Sequence, residues 1–175
     1  CDSNGVAEPD IFTEFGSFTV GESGGAIFKV EYQKIQNDRE KWNMIDSSFM
    51  TTLPDSWAIN KKFMMFPLNH WDHNYERVLL GGITCDSHDY YDSEEHINEV
   101  FLPKTDGSNE PLYVGFFHTG AYQDQISGYG GIKHCMIPSP QHIIVGKDKN
   151  GKLIDWVYAK EQTAQSMLKI LGYLK

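Results

Sequence analysis

Over residues 26–35 the apolar positions Ile27-Phe28, Val30, Tyr32 and Ile35 alternate with charged or polar side chains, which is mostly the period of a half-buried strand. Ahead of it, 11–15 and 17–20 are short apolar runs broken by Gly16. We read them as two short extended pieces, followed at 21–25 by a flexible polar stretch that cannot hold a strand. A charged turn at 37–41 leads to a short strand at 42–46. At 47–59 a Ser- and Thr-containing stretch carries Leu53-Pro54, which rules out a long regular element, so a loop with a helical turn is expected. Further strands are predicted at 63–68, 77–85, 97–102, 112–117, 134–137 and 142–145, most of them bounded by Gly, Pro, Asp or Asn. Asn150-Gly151 is a strong hairpin signal joining 142–145 to 153–158. From Glu161 onward Ala164, Met167, Leu168 and Leu171 share one helical face before Gly172.

The sum is a mainly β chain with short helices, one of them at the C-terminus, and a barrel or sandwich is the expected architecture. At 175 residues, 40% hydrophobic and 13% aromatic, the chain can bury one core and is too short for two large domains. Its formal charge of −9, without a basic run, would repel a phosphate backbone, so nucleic acid is not the expected partner. No stretch reaches the roughly 20 apolar residues of a membrane helix. Cys1, Cys85 and Cys135 have no disulfide-framework spacing, which suits a reducing cytoplasm. Cys1 through Pro9 reads as a polar loop entered from something upstream, and we expect a fragment.

Candidate chemistry sits where predicted strands end. Gly81-Gly82-Ile83-Thr84-Cys85-Asp86-Ser87 places a thiol and a carboxylate where the backbone turns. A thiol there can give a proton to a carbanion, and the carboxylate can hold a cation or adjust the thiol. The same residues also suit a packed cysteine followed by an Asp-Ser turn. Thr119-Gly120-Ala121-Tyr122 follows an apolar run and opens a helix, where free amides and a phenol would suit an anion, although a plain strand-to-helix turn reads the same way. Glu14 beside Gly16 could bond a ring nitrogen or lie in solvent. His70, His73, Cys85, Asp86, His88, His118, His134 and Cys135 are potential metal ligands whose spacing forms no recognisable set, and no metal site is expected. There is no Gly-x-Ser-x-Gly elbow for a serine hydrolase.

Leu53-Pro54-Asp55-Ser56-Trp57-Ala58-Ile59, Ile83-Thr84-Cys85-Asp86-Ser87, Val114-Gly115-Phe116-Phe117 and Gly120-Ala121-Tyr122-Gln123 resemble, in order and near spacing, segments of the biosynthetic arginine decarboxylases. That family belongs to the fold-type III, alanine-racemase-like decarboxylases that use pyridoxal 5'-phosphate. The resemblance implies that 1–25 close a preceding TIM-type barrel and its linker, and that 26–175 form the C-terminal β-barrel or sandwich-like domain. The Schiff-base lysine and glycine-rich phosphate loop would lie upstream.

The resemblance further implies a reaction and a set of roles. L-arginine would lose carbon dioxide to give agmatine, on the way to spermidine and other polyamines. Tyr122, on the turn begun by Gly120, would bind the cofactor phosphate, and Glu14 would face the pyridine nitrogen. Cys85 would return a proton to the carbon that loses carbon dioxide, while Asp55 and Asp86 hold the substrate's distal cation. Sites shared across a homodimer are implied, with Cys85, Asp86 and Asp55 serving the partner's cofactor and Glu14 and Tyr122 their own. Ser17 stands where the family carries arginine, so the phosphate lacks a fixed positive charge there; Glu22-Ser23-Gly24-Gly25 is a weaker second register for the same motif. The requirement for a magnesium ion (Mg2+) is left open. A sister decarboxylase for ornithine, lysine, diaminopimelate or carboxynorspermidine is the main rival, and a non-catalytic β assembly domain the rival from another class. Residues 84–87 and 120–122 are expected to converge at one rim.

Overall fold

The computed structural model describes residues 1–91, 99–105, 109–128 and 130–175. Its centre is β1 (Gly25–Gln36), the alternating segment at full length. Residues Gly25 to Lys29 pair antiparallel with β7 (Tyr113–Phe117), and Val30 to Gln36 pair antiparallel with β2 (Glu40–Ile45). An irregularity between Val30 and Tyr32 lets one strand serve both halves, and the sheet curls there. β3 (Met64–Pro67) pairs antiparallel with β7, and β4 (Tyr75–Gly81) runs parallel to β2. β5 (Tyr90–Tyr91) and β6 (Glu99–Pro103) both pair with β4, completing a seven-stranded sheet. The predicted strand at 97–102 therefore appears as β6, its first two residues lying outside the described ones.

The inner face of the curl holds Phe28, Phe49, Tyr91 and Phe116, whose ring centroids lie 4.9–5.8 Å apart, mostly edge to face. Ile45, Leu53, Leu80, Leu102 and Val114 complete it at 0% exposure. Burying each such side chain stabilises by about 1.5–3 kcal/mol. Tyr91 keeps its hydroxyl satisfied by donating to the Phe63 carbonyl at 3.1 Å and accepting from the Phe63 amide at 3.2 Å.

The Asn150-Gly151 signal yields a separate two-stranded sheet of β8 (His142–Lys147) and β9 (Leu153–Ala159), with Gly151 at φ +80° in the turn. The chain then enters the predicted amphipathic helix, here Ala164–Ile170, whose Met167 is buried.

Three predicted elements differ. Residues 17–20 are helical, not extended: Gly16–Val20 forms α1, with Thr19 bonding the Phe15 carbonyl through both its amide and its hydroxyl. Residues 134–137 are not a strand. Cys135 at φ +52° and Met136 at φ +56° are left-handed, and His134–Met136 closes a tight 3-10 turn. The strand predicted at 77–85 stops at Gly81 because the carboxylate of Asp89 fills the space beside Gly82, where a Cβ would lie 2.3 Å from it.

Candidate active site

The stretch at 47–59 becomes two short helical turns, α2 (Phe49–Thr52) and α3 (Asp55–Ala58). Ser48 caps α2 by accepting the Thr51 amide, and buried Leu53 fixes the step into α3. Pro54 sits where an amide is not required, just before the first turn of α3. Asp55 thereby stands at the start of α3, partly buried, with the side-chain amide of Gln123 donating to its Oδ2 at 2.7 Å and Lys61 Nζ 3.9 Å away.

Asp89 organises the loop that carries Cys85 and Asp86. Its buried carboxylate accepts from Ser48 Oγ at 3.0 Å, from the Phe49 amide at 2.8 Å, from the Thr84 amide at 3.1 Å and from the Thr84 hydroxyl at 2.6 Å. The Ile83 amide meanwhile donates to the Ser47 carbonyl at 3.0 Å. The glycine at 82 is what allows this carboxylate to close against the strand end. Asp89 was not singled out in the sequence, where the Gly81-Gly82 pair just upstream was its only trace.

Cys85 is exposed on that loop, and Asp86 accepts the His88 amide at 2.8 Å. That amide holds the Asp86 carboxyl below the usual carboxylate range; desolvation opposes it, and the imidazoles of His88 and His134 reinforce it. His134 Nε2 lies 4.0 Å from Asp86 Oδ2, and Cys135 Sγ lies 4.0 Å from Cys85 Sγ. The same tight turn is anchored by Lys133, whose buried ammonium pairs with Asp124, and His142 Nε2 meets the other oxygen of Asp124 at 2.9 Å.

Asp124 and Gln123 both belong to α4 (Gln123–Ile126), the helical turn expected after 119–122. A closed circuit of polar contacts results: Asp89 joins the Cys85 loop to α2, Gln123 joins α3 to α4, Asp124 joins α4 to Lys133, and His134 returns to Asp86. Residues 84–87 are thus linked through a third segment, 133–135, to Asp124 of α4, the turn that follows 120–122.

Tyr122 caps α4 at φ +68° and is half exposed. The amide of Gly120 is not free: it donates to the Gly21 carbonyl at 3.0 Å, as the Thr119 amide does to Gly24 at 3.1 Å. A Cβ on Gly120 would lie 1.9 Å from the Val20 carbonyl oxygen, so this glycine permits backbone-to-backbone packing of α1 and the 3-10 turn Gly21–Ser23 against the 119–121 turn. A Cβ at Gly16 would lie 3.9 Å from the Tyr122 hydroxyl, and Glu14 and Ser17, close to Gly16 in the chain, are both exposed. Glu22 is exposed on the 3-10 turn. His70 and His73 stack with ring centroids 4.5 Å apart, each with a ring nitrogen at a backbone carbonyl. Among the described residues, no three His, Cys, Asp or Glu side chains gather as a metal site, and no helix is long and apolar enough to cross a membrane.

No protein-family model matches the chain. A solved diaminopimelate decarboxylase superposes on 89% of this chain and 35% of its own with a TM-score of 0.67 at 18% identity. The Helicobacter pylori diaminopimelate decarboxylase complexed with L-lysine superposes on 90% of this chain and 34% of its own with a TM-score of 0.65 at 15% identity. These likenesses concern the fold alone, and they define its class: a β domain built like the matching part of those solved decarboxylases. Among curated proteins, the biosynthetic arginine decarboxylase of Marinobacter nauticus is 29% identical over 135 residues, 74% of this chain and 20% of that protein. That of Thermosynechococcus vestitus is 34% identical over 140 residues, 75% of this chain and 20% of that protein. Within the class, the chain belongs with the C-terminal part of the biosynthetic arginine decarboxylases. It spans about a fifth of the length of the curated relatives it matches.

Proposed function

We propose that the chain is the substrate- and cofactor-facing β domain of a pyridoxal-phosphate-dependent arginine decarboxylase that converts L-arginine to agmatine and carbon dioxide in polyamine biosynthesis. Residues 1–25 would close the preceding barrel and 26–175 form the domain. The observation that carries this reading is the polar circuit, which holds a thiol, Cys85, and the carboxylates Asp55 and Asp86 on neighbouring, mutually braced turns.

Asp86, whose carboxylate form the His88 amide favours, and Asp55, oriented by Gln123, suit the two sides of a distal guanidinium. Exposed Cys85, one residue from Asp86, can release a proton to the substrate carbon once carbon dioxide has left. The second group of residues fits the cofactor: the phenol of Tyr122 and hydroxyl of Ser17 can donate to a phosphate, and Glu14 can face a ring nitrogen. Gly120 serves by shaping the Tyr122 turn rather than by lending its amide. Bound pyridoxal phosphate supplies the electron sink that makes loss of carbon dioxide feasible. The covalent anchor would come from outside this chain, and a homodimer would place Cys85, Asp86 and Asp55 of one subunit at the cofactor of the other.

The test is turnover by the full-length protein on arginine, ornithine, lysine and diaminopimelate, with Cys85→Ala alongside. Arginine should be preferred, and the variant should lose about a hundredfold or more in product formation, in the range of a proton-transfer catalyst. Absence of arginine turnover, or an unaffected Cys85→Ala enzyme, would overturn the reading.

A further inference from the structure

Cys135 has no part in the proposed reaction, yet its sulfur lies 4.0 Å from that of Cys85, 50 residues away in sequence, with both side chains exposed and both thiols free. Its backbone is held in the left-handed region at φ +52°, ψ +22°, a conformation disfavoured for a residue with a side chain, and Met136 follows at φ +56°. The surrounding turn is fastened at several points. Lys133 is buried on Asp124, the Met136 amide donates to the Lys133 carbonyl at 2.9 Å, and the Ile137 amide donates to the His134 carbonyl at 3.3 Å. The Cys85 loop is fastened in turn by Asp89. Two turns, each with its own anchors, therefore present two thiols to each other. A disulfide requires sulfurs about 2.05 Å apart, an approach that side-chain rotation at two exposed positions can supply without undoing either turn.

We propose that Cys85 and Cys135 form a reversible redox pair, closed to a disulfide by a hydroperoxide and reopened by a thiol reductant, which withdraws the Cys85 thiol from chemistry. In the first step the Cys85 thiolate attacks a peroxide oxygen, the O–O bond breaks, an alcohol or water leaves, and the sulfur is oxidised to a sulfenic acid. Cys135 sulfur then attacks that sulfur, the S–O bond breaks, water departs with the Cys135 proton, and the S–S bond forms. Two thiols are oxidised by two electrons in all, and one hydroperoxide is reduced. Desolvation, with the Cys85 sulfur and the Asp86 carboxylate nearby, pushes the Cys135 thiol up, which suits it to the second step rather than the first. The cross-link rests on this geometry alone; its effect on turnover rests on the proposed role of Cys85.

The full-length protein would be treated with a few equivalents of hydrogen peroxide, alkylated, and digested without reduction for peptide mass spectrometry. A peptide pair joined through Cys85 and Cys135, abolished by dithiothreitol and missing from both Cys135→Ser and Cys135→Ala, is the expected result. In those variants Cys85 should advance to sulfinic acid instead. Full alkylation of both thiols after peroxide has been consumed, or links between molecules only, would overturn the pair. Arginine turnover measured in parallel should fall with the fraction cross-linked and return on reduction. A cross-link that leaves turnover untouched would sink the catalytic role given to Cys85 while leaving the redox pair standing.

Discussion

Gln123 and Asp55 are 68 residues apart in the chain, and the amide of the first donates to the carboxylate of the second across 2.7 Å. Gln123 is 1% exposed and also donates to the Ala121 carbonyl at 2.9 Å, so its side chain has little freedom to turn away. One residue earlier stands Tyr122. The bond therefore ties a candidate substrate carboxylate to the turn bearing a candidate phosphate ligand, and under the proposed dimer these serve different active sites.

Gln123→Leu keeps the bulk and deletes the donor. A hydrogen bond to a charged group contributes about 1.5–3 kcal/mol, so KM for arginine in the full-length enzyme should rise about tenfold or more, with a smaller change in kcat. Steady-state kinetics would check this. A fall in kcat at constant KM would mean that Gln123 acts on the Tyr122 turn and not through Asp55.

Asp89 carries the largest structural burden of any carboxylate in the circuit. Replacing it by alanine leaves the buried Ser48 hydroxyl, the partly buried Thr84 hydroxyl and the Phe49 amide without their acceptor. We expect a loss of about 2–4 kcal/mol in unfolding free energy, read as a lower denaturant midpoint. Asp89→Asn, which keeps an acceptor oxygen, should recover part of it. A variant as stable as the parent would show that the loop around Cys85 is held by other contacts.

Asp86 provides a prediction in pH. Its folded-state pKa is depressed, chiefly by the His88 amide, so any stability linked to it is present above the unfolded carboxylate value of about 3.9 and is lost only as pH falls through the lower folded value. A carbon-detected NMR titration should find the Asp86 carboxyl titrating below the ordinary aspartate value of about 3.9. His88→Pro, which removes the amide donor, should move it upward. Titration in the ordinary range would show that the His88 amide does not hold this carboxyl down.

The elements legible in the sequence were those whose causes are local. The alternation from Ile27 to Ile35 became β1, and Asn150-Gly151 became the β8–β9 turn, because side-chain period and turn chemistry act within a few residues. The turn at 134–136 was misread as a strand because its shape depends on Lys133 reaching Asp124 and on two left-handed residues that hydropathy does not reveal. Asp89 was missed for the same reason, since Ser48 and Phe49, two of its partners, lie about forty positions away. Cys85, Asp86, Asp55 and Tyr122 were legible as motif residues, but neither the circuit that joins them nor the nearness of Cys135 could be read from spacing.

Gly24 and Gly120 approach so closely that a Cβ on Gly24 would lie 2.6 Å from the Gly120 nitrogen. No side chain stands between the two backbones to yield by changing rotamer. A contact of this kind transmits displacement stiffly. Residues 16–25 and the Tyr122 turn should therefore shift as one body, so that a tug on the chain ahead of β1 repositions the phenol directly, as a handle moves the blade to which it is fixed.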